Sequence, residues 1–177
     1  MLPVEVLISE HRLIERFVKF IGQEMEKITE TQKVEPNFIV VAVDFFRTYA
    51  DRYHHGKEEG ILFNGLSQKN LSEVDKKMML ELAMEHAQAR RTVNKLETSK
   101  EIYLVGKLDA LKDILQTLKN LVELYPTHIE KEDKHFFLPS MTYFTRPEQD
   151  EMLNKFIDFN RDFTDKKYLQ VIETLES

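Results

Sequence analysis

Apolar side chains recur every three or four residues along four long stretches of this chain, a period that suits helices and little else. Val4, Leu7, Ile8, Ile14, Val18, Ile21, Met25 and Ile28 mark the first stretch. Pro3 opens it, where a missing N–H costs nothing. Pro36 opens the second, with Ile39, Val43, Phe46 and Ala50 on one face and Asn64-Gly65 at its end. The third starts at Ser72-Glu73-Val74-Asp75, which resembles a capping box, and carries Met79, Leu82, Ala89, Val93 and Leu96. The fourth is expected from about Tyr103 or Leu104, through Leu111, Ile114, Leu118, Leu121 and Tyr125, to a stop before Pro139. Pro126 predicts a kink or a loosened turn within it. Met152, Phe156, Phe159 and Phe163 suggest one more helix, and Leu169, Ile172 and Leu175 a short last one. Five Gly and five Pro in 177 residues leave few turns to interrupt these runs. The expectation is an all-α single domain over residues 1–177, with the main helices at about 3–140 and a helical extension at about 146–177.

Charge and composition narrow the chemistry. Lys plus Arg number 25 against 31 Asp plus Glu, so the net charge is −6 and no basic tract speaks for nucleic acid. The longest purely apolar run, Phe38 to Val43, is far too short to span a membrane. No basic segment with a following apolar run opens the chain, so a soluble cytoplasmic protein is expected. There is no cysteine. Disulfides, thiol nucleophiles, zinc ribbons and iron–sulfur clusters are thereby excluded, and histidine and carboxylate remain.

Each of the four stripes places a histidine where an apolar residue belongs: His11, His54, His86 and His128. Two of these carry a glutamate four residues on, as His54–Glu58 and His128–Glu132. Residues i and i+4 of a helix differ by about 40° in direction and about 6 Å in height, so both side chains of a pair reach one point. Metal sites in helical bundles are built this way. Two glutamates in one apolar core repel each other and need compensating positive charge, which a pair of cations supplies. Imidazole and carboxylate without thiolate suit iron or manganese, with zinc as a further option. His55 points about 100° from His54 on a regular helix, which assigns it a structural or rim role, although a register using His55 and Glu59 is open. His135 lies about 10 Å beyond His128 and reads as a helix-end residue. Tyr49, Tyr53 and Tyr125 lie near the cluster and read as packing residues, with a hydroxyl able to donate into it. Gly56 and Gly60 are unusual inside a helix, where they permit close approach or loosen its end. Met78, Met79 and Met84 read as core filler.

Four segments together resemble a known family. Tyr49-Ala-Asp-Arg-Tyr-His-His-Gly-Lys-Glu-Glu-Gly-Ile-Leu-Phe63 is similar to the second-helix signature of hemerythrin-like (HHE cation-binding) domains. Ser9-Glu10-His11, Met84-Glu85-His86 and His128-Ile-Glu-Lys-Glu-Asp-Lys134 with Phe136-Phe137-Leu138-Pro139 resemble the motifs of the other three helices. The resemblance spans roughly residues 4 to 140. It implies an up-and-down four-helix bundle around a non-haem di-iron centre with an oxo or hydroxo bridge. The carried-over ligands are His11, His54, Glu58, His86, His128 and Glu132, with Glu58 and Glu132 bridging. Oxygen-carrying members have a second third-helix histidine where this chain has Arg90, and a last carboxylate at the position of Asp133. Four histidines instead resemble the iron-centre repair and nitric-oxide-responsive branch, whose cysteine-containing N-terminal segment is missing here. Glu15, one turn beyond His11, is a candidate fifth ligand.

The resemblance implies a protein that binds or senses oxygen, nitric oxide or peroxide, with any electron donor external. The alternatives are a di-iron oxidase, peroxidase or nitric-oxide-detoxifying or repair enzyme, and a metal-responsive interaction module using the Phe-rich tail.

Overall fold

The computed structural model describes residues 1–160 and 166–176, so Phe163 lies outside the described residues. Six helices account for the architecture, and no strand occurs among the described residues. α1 is Pro3–Thr31. α2 covers residues 36–67 and α3 is Glu73–Leu104. α4 covers residues 110–140, α5 is Arg146–Phe159 and α6 is Lys166–Glu176. α1 packs on α2 and α4, and α3 packs on the same two. Every long helix therefore lies beside its sequence neighbours, as in an up-and-down bundle. With 29 and 32 residues, α1 and α3 are each about 45 Å long. α5 and α6 lie against α1, and α5 also touches α2.

The interior has three layers. One apolar cluster is centred on Ile14, Phe17, Ile21, Phe45, Phe46, Ile114 and Leu118. A second contains Val4, Leu7, Leu62, Leu82, Phe136, Phe137 and Phe156. The four stripe histidines fall between them: His11 between Leu7 and Ile14, His54 between Ala50 and Leu62, His86 between Leu82 and Ala89, and His128 between Tyr125 and Phe136. The helical period that buries the apolar residues thus carries the histidines to one level of the bundle.

Several boundaries differ from the sequence expectation. α3 runs on to Leu104, and the chain turns at Gly106, whose φ of +87° suits glycine alone. α4 accordingly begins at Ala110 rather than near Tyr103. It continues past Pro126, flanked by buried Tyr125 and Ile129, and on through Pro139 to Ser140. Packing of these flanking residues outweighs the donor that Pro126 lacks. α2 likewise passes Asn64-Gly65 and ends at Ser67. Met84 is 71% exposed and is not core filler, whereas Met78 and Met79 do pack on the second apolar cluster. Gly56 is a point of close approach, because a Cβ there would stand 2.9 Å from the Phe159 ring of α5. Gly60 has no such neighbour.

Candidate metal centre

The site is built where two helices change pitch. α2 is α-helical over Pro36–Asp44, then π-helical over Phe45–His55 and Glu58–Phe63. α4 is α-helical over Ala110–Lys131 and π-helical over Glu132–Phe136. π-turns are rare and concentrate at functional sites, since each wider turn re-aims the side chains that follow. Here they fall on His54, His55, Glu58 and Glu132, while His11 and His86 stand on regular helices.

His11, His54, Glu58, His86, His128 and Glu132 converge at the middle of the bundle, each at most 2% exposed. His11 Nε2 and His54 Nε2 are 2.9 Å apart, and His86 Nε2 and His128 Nε2 are 3.2 Å apart. Glu58 stands between the pairs, with Oε1 3.1 Å from His54 Nε2 and Oε2 3.3 Å from His86 Nε2. Glu132 Oε2 is 3.2 Å from His11 Nε2 and 3.3 Å from His128 Nε2, and its Oε1 is 3.7 Å from His86 Nε2. None of the four carboxylate oxygens has a hydrogen bond of acceptable geometry. Orphaned charged oxygens cost several kcal/mol in an apolar interior, so each requires a reason. Two groups of donor atoms close enough to share an ion supply one: His11, His54, Glu58 and Glu132, and His55, Glu58, His86 and His128. Glu58 belongs to both groups, so the clustered imidazoles and carboxylates present donor atoms that fit a metal cation.

A ring of carboxylates stands behind the imidazoles. His11 Nδ1 is 2.7 Å from Asp133 on α4, and His54 Nδ1 is 2.9 Å from Glu10 on α1. His86 Nδ1 is 2.7 Å from Glu59 on α2, and His128 Nδ1 is 2.8 Å from Glu85 on α3. Each helix therefore braces the histidine of the next, and α4 braces α1 to close the circle. A carboxylate at Nδ1 holds the ring proton there and turns the Nε2 lone pair inward, as metal-binding histidines require. Every brace is itself held by a cation. Arg12 pairs with Asp133, Lys57 with Glu10, Arg90 with Glu59, and Lys131 with Glu85. Lys57 is fully buried, sits 3.5 Å above the Tyr53 ring and donates to Asn160 at the end of α5. Sequence reasoning along i and i+4 missed the bracing role of these carboxylates and weighed Glu59 and Asp133 only as alternative ligands. Their signal was adjacency, since Glu10, Glu59, Glu85 and Asp133 each lie next to an expected ligand.

The electrostatics of the metal-free site follow from this crowding. Burial pulls the His54 pKa down, but the charge of Glu58 and the hydrogen bond with Glu10 outweigh it and raise it to about 10. His86 is raised to about 9, with burial again overcome by Glu132 and Glu59. His11 also moves upward, because Asp133 and Glu132 outweigh burial and the nearby His54. Burial favours the neutral form of Glu132, yet His128, His11 and His86 hold it well below the usual carboxylate range. Without a metal, protons supply the positive charge that the carboxylates need. Divalent ions at the same point would replace them.

The remaining residues sort by geometry. Asp133 points at the back of His11, and Glu59 at His86 and Arg90, so neither faces the centre. Glu15 pairs with Arg12. His135 is exposed at the helix surface, as expected of a helix-end histidine. Tyr49 and Tyr125 are packed among aromatic rings of the first apolar cluster. His55 departs from its expected rim position: it is 2% exposed, and its ring stacks on His86 at 3.8 Å.

No helix among the described residues is long and apolar enough to cross a membrane. Neither a curated protein nor a solved structure matches the chain significantly. The hemerythrin HHE cation-binding domain matches residues 2–138, which include all four stripe histidines with Glu58 and Glu132. Its extent and the convergent histidines and glutamates agree, and the chain belongs to the hemerythrin HHE cation-binding domain family.

Proposed function

We propose that this chain is a non-haem di-iron protein that binds or senses a small oxidant, namely oxygen, nitric oxide or peroxide. The observation that carries this reading is the set of four buried, unsatisfied carboxylate oxygens of Glu58 and Glu132, ringed by imidazole nitrogens. His11 and His54 would hold one ion and His86 and His128 the other, with Glu58 and Glu132 between them. Iron at this point supplies electrons that a small oxidant can accept. The protein supplies the rest. Apolar layers above and below limit water at the centre. The carboxylate braces keep protons on Nδ1 and orient Nε2 inward. Any electron donor comes from outside the chain.

Iron content and the optical spectrum of aerobically purified protein test the reading. About two irons per chain with oxo-bridge charge-transfer bands are expected. No uptake of iron after reconstitution, or unchanged uptake in His54→Ala with Glu58→Ala, would sink it. Exposure of the reduced form to each oxidant then separates reversible binding from turnover, which marks an enzyme.

A further inference from the structure

We propose that His55 is a fifth imidazole of the centre, ligating the ion held by His86 and His128, so that the two ions have unequal ligand sets. The inference rests on the di-metal reading above and extends it to a residue that the helical pattern placed at the rim.

Three observations carry it. First, His55 belongs with Glu58, His86 and His128 to a group whose donor atoms all lie within 4.8 Å of one another. Second, His55 also has an outer carboxylate, here from its own helix, that is held by a cation. Its Nδ1 is 3.3 Å from Asp51 Oδ1, and Arg90 Nε donates to that oxygen at 2.8 Å. Arg90 also donates to Glu59, the brace of His86, so one guanidinium serves both rings. A histidine buried only for packing has no need of a carboxylate–cation relay that fixes its ring orientation. Third, the π-turn supplies the geometry. His54 and His55 are sequence neighbours at the end of the Phe45–His55 π-helix, and both are buried toward the centre.

The arrangement also explains Arg90. A histidine one turn after His86 would approach the ion from α3. Here α2 delivers the ring instead, and α3 delivers the cation behind it. The other ion would be held by His11 and His54 with Glu58 and Glu132.

A cavity of about 330 Å³ between α2 and α3, lined by Phe46, Arg47, Asp51, His55, Arg90 and Tyr125, makes the idea testable by chemical complementation. Protein reconstituted with ⁵⁷Fe is compared with His55→Phe, which keeps a ring on His86, and with His55→Gly, which opens the site to this cavity. Two distinct Mössbauer doublets are expected for the wild type. In either variant one doublet should shift while the other stays, and that iron should be lost to a chelator at least about ten-fold more readily. Imidazole added to His55→Gly should restore the original doublet. Two irons with unchanged doublets in a folded His55→Phe, or no recovery with imidazole in His55→Gly, would overturn the role of His55 and leave the di-iron reading intact. A wild-type protein that takes up no iron removes that reading and this proposal together.

Discussion

Two regions of one bundle solve opposite problems. Around Phe17, Phe45 and Phe46 the interior is a self-sufficient apolar cluster, with Phe17 and Phe45 stacked at 3.8 Å. A helical turn or two away, the same helices bury imidazoles, Glu58 and Glu132 at 2% exposure or less. The first region is stable because of what it excludes, since burying apolar area is favourable without any partner. The second is incomplete because of what it includes, since its carboxylate oxygens have no hydrogen bond. Apolar burial is thus concentrated in the two flanking layers, and they hold the polar layer between them in place.

The comparison can be broken most severely at the polar layer. His54→Ala with Glu58→Ala should abolish uptake of iron at both positions, read by metal analysis, while the far-ultraviolet circular dichroism stays helical. Next in size, Phe17→Ala should cost about 3–5 kcal/mol by chemical denaturation, as expected for a large ring removed from a close-packed core. It should do so equally with and without metal and leave the iron spectrum unchanged. A change in the spectrum would show that the two layers are not separable.

Removing a brace is a smaller perturbation. Glu85→Ala should weaken retention of the ion beside His128 by about 10–100-fold in a chelator competition, with little change in helix content. The mildest test uses pH. The His54 and His86 pKa values are raised to about 10 and about 9 in the metal-free fold, above the ordinary 6.5. Folded pKa values above unfolded ones mean that this stabilisation is complete below about pH 6.5 and lost as pH rises through 9 to 10. Denaturation midpoints of the metal-free protein should therefore fall across that interval. Midpoints of the loaded protein should fall less, because the ions take the place of the protons.

Much of this was legible in the sequence for a physical reason. A helix repeats every 3.6 residues, so His11, His54, His86 and His128 could be placed on the core stripes by counting, and Glu58 and Glu132 followed from their i+4 spacing. Counting failed where the period changes. His55 lies about 100° from its neighbour on an α-helix, yet both are buried at the end of the Phe45–His55 π-helix. Nothing in local composition announces a π-turn, because it is stabilised by what surrounds it. The ends of α3 and α4 were misplaced for a similar reason, since long-range packing carried one helix to Leu104 and the other past Pro126 and Pro139. The bracing roles of Glu10, Glu59, Glu85 and Asp133 were missed because each supports a histidine on a different helix, a pairing that spacing within one helix does not encode.

That circle of braces bears on how the protein can be cut. Asp133 holds His11, Glu10 holds His54, Glu59 holds His86 and Glu85 holds His128. Deleting any one helix removes a histidine and also strands the histidine of the next, so a three-helix fragment loses two of the four dyads. Joining the ends and reopening the chain in the loop between α3 and α4 loses none. The centre can be moved along the chain but not divided, and two separately made halves should become competent for metal only on recombining.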